Sequence, residues 1–148
     1  MTERKLDHAA EFAKGVREFN SWRFYDCHET LEDVWLECGG KAISGDGRDD
    51  LADFYQGVIK AAAGMHHVLR GNHGGAIKVL GDVPRLLEAY RPRTMGLDVD
   101  RLLADVERVV AEVRALGPER MGEFDGELVP SLVVEAIAGR GPSPPRQA

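Results

Sequence analysis

Leu51-Ala52-Asp53-Phe54-Tyr55-Gln56-Gly57-Val58-Ile59-Lys60-Ala61-Ala62-Ala63-Gly64-Met65-His66-His67-Val68-Leu69-Arg70 is the stretch on which the fold turns. Leu51, Phe54, Tyr55, Val58, Ile59, Ala62, Met65 and Leu69 recur at the three- and four-residue spacing of a helix face. Gly57, Ala61 and Gly64 line a second side with small residues, where a neighbour can come close. The pattern predicts the central helix of a bundle.

Toward the N-terminus, Lys41–Asp50 holds Gly45, Gly47 and three aspartates, and reads as an exposed loop with Asp49 or Asp50 placed to cap the central helix. Before it, Gly39-Gly40 closes a helix running from about Trp22 to Glu37, for which Asn20-Ser21 offers capping oxygens. A first helix from about Thr2 to Phe19 follows from Leu6, Ala9, Ala10, Phe12, Ala13, Val16 and Phe19.

Toward the C-terminus, Gly71–Gly75 is a turn with Asn72 as helix cap, and Ala76–Tyr90 is helical but kinked or divided by Pro84. Arg91-Pro92 breaks the chain again. Asp98 then caps a long helix on Val99, Leu102, Leu103, Val106, Val109, Val110, Val113 and Leu116, ended by Gly117-Pro118. No convincing β alternation remains apart from an ambiguous run between Leu128 and Val134. The class is all-α: an up-and-down bundle of about five helices in a single domain over 1–138, with Gly139–Ala148 expected to be disordered.

With 148 residues and 43% hydrophobic content the chain can bury a core without staples. A net charge of -6 argues against general affinity for nucleic acid or anionic membrane. The start is charged and no apolar run approaches the roughly 18 residues of a membrane span, which points to the cytoplasm. Cys27 and Cys38 lie eleven residues apart on one helix, about 16 Å by helical rise and too far for a disulfide, so they read as reduced core thiols.

His28-Glu29-Thr30-Leu31-Glu32-Asp33-Val34-Trp35 sets ionisable side chains into an apolar stripe. At about 100° per residue, His28 falls between Phe24 and Trp35 on the arc shared by Cys27, Leu31, Val34 and Cys38, and Glu32 stands one turn on at its edge. Buried there, both groups need a proton, a cation or each other.

Several of these residues carry a resemblance. Phe19-Asn20, His28-Glu29-x-Leu31-Glu32-x-x-Trp35, Gln56-Gly57-Val58-Ile59, Ala61-Ala62, His66, Arg70-Gly71-Asn72-x-x-Gly75-Ala76 and the Tyr90–Pro92 to Gly96–Val99 segment resemble, in this order, the bacterial and archaeal domain-of-unknown-function family 309. The likeness spans roughly Phe12 to Leu116. It implies an all-helical fold and no established activity; similar proteins have been described as metal-dependent hydrolases. The chain departs from the family pattern at Lys60, where relatives commonly carry Gln, and at Asp26-Cys27, which replaces a Glu-Ala pair. A lysine facing a cation site would repel the metal.

Two chemistries compete for the cluster. In one, His28, Glu32 and His66 or His67 hold a divalent metal (zinc, manganese or iron), with Glu29 as general base. The motif is not HExxH, since Glu32 stands where the second histidine would be, and the paired Glu-x-x-His of di-iron bundles is missing from these segments. In the other, His28, Glu32, His66 and Gln56 form a structural hydrogen-bond network in a non-enzymatic adaptor or homo-oligomeric module. Trp35 is then a core anchor, Asn72 a cap and His67 a solvent-facing side chain. Asp46, Asp49, Asp50 and Asp53 lack EF-hand spacing. The apolar stripe of the last helix would support a homodimer if the bundle left it uncovered.

Overall fold

The computed structural model describes residues 6–39 and 51–135. Among the described residues six α-helices form: α1 (His8–Asn20), α2 (Phe24–Glu37), α3 (Ala52–Leu69), α4 (His73–Gly81), α5 (Val83–Leu87) and α6 (Val99–Leu116). Between α5 and α6 lie the strands β1 (Arg93–Thr94) and β2 (Leu97–Asp98), and 3-10 segments occupy Glu88–Tyr90, Pro118–Glu123, which is kinked at Arg120, and Gly126–Leu128. The segment Lys41–Asp50 expected as a loop, with the aspartates expected to cap α3, and the tail from Gly139 lie outside the described residues.

The helical limbs alternate in direction. His8 Nε2, in the first turn of α1, lies 2.9 Å from Glu37 Oε1 at the end of α2, and Glu37 also accepts from the Leu6 N–H at 2.9 Å. Tyr25, at the start of α2, meets His66 near the end of α3 with ring centroids 6.2 Å apart. The chain then returns along α3 as α4 and α5, divided near Pro84 as its sequence demands, with Asp82 at the joint. α3 therefore packs against α2, α4 and α5 and is the central helix.

The small residues of α3 allow this. A Cβ at Gly64 would sit 2.2 Å from Leu80 Cδ2, and one at Gly57 2.5 Å from Leu87 Cδ2. Only glycine lets both leucines reach the α3 backbone. The large side chains Phe19, Phe54, Tyr55, Leu31, Met65 and Leu102 fill the core, and Cys27 and Cys38 are buried within it and form no disulfide. Burial pushes the Cys27 thiol up to about 12, with the Glu18 charge adding to the effect.

α6 turns its stripe inward. Val99, Leu102, Val106, Val109 and Val113 are buried, and the helix packs against α4, α5 and the turns that follow it. The stripe that could have served a homodimer is thus covered within the chain. Asp98 caps α6 by accepting from the Arg101 N–H at 3.0 Å, and Gly117 closes it at φ 74°.

Two local expectations are corrected. Asn20 does not cap α2, whose N-cap is Arg23 with no side-chain bond. Its amide instead holds the backbone of Leu132, accepting from N–H at 2.7 Å and donating to C=O at 3.1 Å. The ladder Arg93↔Asp98, Thr94↔Leu97 was not foreseen, since strands of two residues carry no alternation to read. The ambiguous run at the C-terminal end is drawn into it: Leu97 bridges Val134, Asp98 N–H donates to Val133 C=O at 2.9 Å, and Glu135 N–H to Gly96 C=O at 2.9 Å.

Candidate functional site

His28 lies at the rim of the α2 stripe, not inside it. Its side chain is 33% exposed and that of Glu32 is 44% exposed, so full desolvation of either charge is avoided. The His28 Nδ1 atom is nevertheless enclosed and has no hydrogen-bond partner. The nearest carboxylate oxygen, Glu32 Oε1, is 3.9 Å away, beyond hydrogen-bonding distance. The pair is therefore an ion pair when the imidazole is protonated and no closed hydrogen bond otherwise.

Rings surround this pair. Tyr25 stacks on His28 with planes 8° apart and centroids 6.1 Å apart, and it also borders His66. His66 in turn neighbours His67, with centroids 6.4 Å apart. Burial, then the nearby Arg70, His67 and His28, hold the His66 imidazole below its ordinary value, which favours the neutral ring. The Glu29 carboxylate accepts from the Tyr25 hydroxyl and repels its anion, raising the phenol above its ordinary range. Glu29 is thereby committed to Tyr25, which weakens its assignment as general base.

His67 is not a free solvent-facing group. Its Nδ1 lies 3.0 Å from Asn72 Nδ2, while Asn72 Oδ1 accepts from the Gly75 N–H at 2.9 Å and caps α4. Gln56 is on the same helix as His66 but ten residues earlier, about 15 Å along the axis, and stands apart from the cluster. Trp35 is half-buried against the core, in keeping with an anchoring role. Lys60 donates to Asp82 Oδ2 at 2.8 Å, an engagement at the α4–α5 joint and not with the histidines.

The metal suggested by the resemblance needs three converging donors and an open position. Among the described residues no group of three or more His, Cys, Asp or Glu side chains is so arranged. The residues present do not fit such a centre, because His28 and Glu32 supply two groups and no third donor among the described residues converges with them.

Sequence reasoning passed over two residues. Tyr25 was not singled out, although its spacing to Glu29, Glu32 and Leu36 marks one stripe. Glu18 was not either, although an acid between Val16 and Phe19 of an apolar helix face was a readable signal.

With this geometry in view, comparison with known proteins adds two likenesses. Residues 12–79 match the model of DUF309, a domain of unknown function. The chain is also similar to the uncharacterized protein YpuF of Bacillus subtilis (strain 168), with 28% identity over 102 residues, covering 67% of this chain and 54% of that protein. The chain thus spans about half the length of this curated relative. Among the described residues no helix is long and apolar enough to cross a membrane.

Proposed function

We propose that this chain is a non-enzymatic adaptor module whose working surface is the open α2–α3 face around His28. One observation carries the reading. Tyr25, Glu29, Glu32 and Leu36 share one stripe of α2 at helical spacing, and its two apolar ends stand 58% and 51% exposed. Leu69, one turn beyond His66 at the end of α3, is 43% exposed. Large side chains left open in register, with carboxylates between them, suit a partner that offers apolar anchors separated by basic groups. An amphipathic basic helix has that chemistry.

The test is calorimetric titration with a synthetic helical peptide carrying leucines and arginines at the complementary spacing. Saturable binding should be lost in Tyr25→Ala/Leu36→Ala and weakened by salt. Binding no tighter than that of a scrambled peptide of equal composition would remove the reading. The alternative implied by the resemblance, a divalent metal on His28 and Glu32 used for hydrolysis, has two donors where such a centre takes three. Elemental analysis of chelator-free protein decides it: near-stoichiometric zinc, manganese or iron, lost in a folded His28→Ala, would favour the metal over the adaptor.

A further inference from the structure

A second polar site lies along the adjoining face of α2, toward α1, and shares with the first the Glu29 carboxylate that accepts from Tyr25. We propose that the groove between α1 and α2 binds an aliphatic polyamine. The cavity, about 400 Å³, is walled by Glu11 and Glu18 from α1 and by Asp26, Glu29 and Asp33 from α2. Against these five carboxylates stand Lys14 and Arg23, and Arg23 Nε is already held by Asp26 Oδ2 at 2.9 Å. The groove carries an excess of negative charge.

Glu18 turns this charge into a demand for a ligand. It is only 8% exposed, and its Oε1 is enclosed without a hydrogen-bond partner. Burying a carboxylate oxygen unpaired is unfavourable, and a cationic N–H donor offsets this by a charge-assisted hydrogen bond.

The shape of the charge selects among cations. Glu11 and Glu18 are seven residues apart on α1, as are Asp26 and Asp33 on α2, so each row extends about 10 Å. Among the described residues no three such side chains converge on a point, so a metal ion finds no cage. An extended chain of methylenes bearing separated ammonium groups matches two rows of acids. Such amines, like the lysine ammonium, are protonated at neutral pH.

Isothermal titration of the full chain with spermidine in physiological salt tests this. Saturable one-to-one binding is expected, weakened about tenfold or more in Glu18→Gln, and unchanged in Glu107→Gln on α6. Absence of saturable heat, equal affinity in a folded Glu18→Gln, or equally tight displacement by manganese or magnesium would overturn the proposal. If Glu18→Gln loses its far-UV circular dichroism, the rim variant Glu11→Gln/Asp33→Asn replaces it. That variant should bind spermidine several-fold more weakly, and unaltered binding overturns the proposal.

Discussion

Gly64→Ala should destabilise the protein even though alanine is the better helix former. In a helix interior the substitution contributes about 1 kcal/mol of stability through the backbone. Here the new methyl would stand 2.2 Å from Leu80 Cδ2 and 2.4 Å from its Cγ, and Leu80 is fully buried. The Cγ atom cannot swing clear by a rotation at the end of the side chain, so Leu80 or the α3–α4 separation must shift. Overpacking of this kind costs about 1–3 kcal/mol, and the closeness of two atoms puts this case at the upper end. The net effect should be about 1–2 kcal/mol of lost stability, read as a lower urea midpoint by circular dichroism with an unchanged slope. Gly74→Ala is the matched control, because a Cβ there has nothing within 4 Å, and it should be neutral or stabilising. Leu80→Ala should cost less in the Gly64→Ala background than alone, with a coupling of about 0.5–3 kcal/mol. Gly64→Ala as stable as Gly74→Ala would refute the close-approach argument.

Three further outcomes follow from other contacts. Asn20→Ala should cost about 1–3 kcal/mol by orphaning the Leu132 N–H and C=O, and hydrogen exchange at the Leu132 amide should rise more than in α3. The Lys60 hydrogen bond and charge hold Asp82 below its ordinary value, so the stability this pair adds is present above the ordinary carboxylate pKa and is lost as pH falls through the depressed one. Since both partners are about one-third exposed, Lys60→Met should remove no more than about 1 kcal/mol at neutral pH, and the difference from wild type should vanish in acid. The Cys27 thiol, pushed up to about 12 by burial, should resist alkylation at neutral pH until the protein is unfolded in denaturant.

What could be read from the sequence was what is local. Apolar spacing located α3 to within a residue at each end, and Asn72, Asp98 and Gly117 acted as the caps their types announce. Asn20 misled because a capping oxygen looks the same whether its partner is three residues ahead or 112 residues away. His67 found Asn72 across the α3–α4 turn, a meeting that depends on how that turn closes. Of the cluster, His28, Glu32 and His66 do come to one face of α2 and α3. Their openness, and the exclusion of Gln56, depend on helix packing; only the ten-residue separation of Gln56 from His66 was visible beforehand.

The small β ladder bears on solubility. A strand edge with free N–H and C=O groups is a template on which other chains can add. The outer edge of β2 is occupied by 133–135, and the Asn20 amide fastens that segment at Leu132. One side-chain amide on α1 thus guards a backbone edge more than seventy residues away in sequence. Loss of that fastening would convert a closed molecule into one with a place for a second copy to begin pairing.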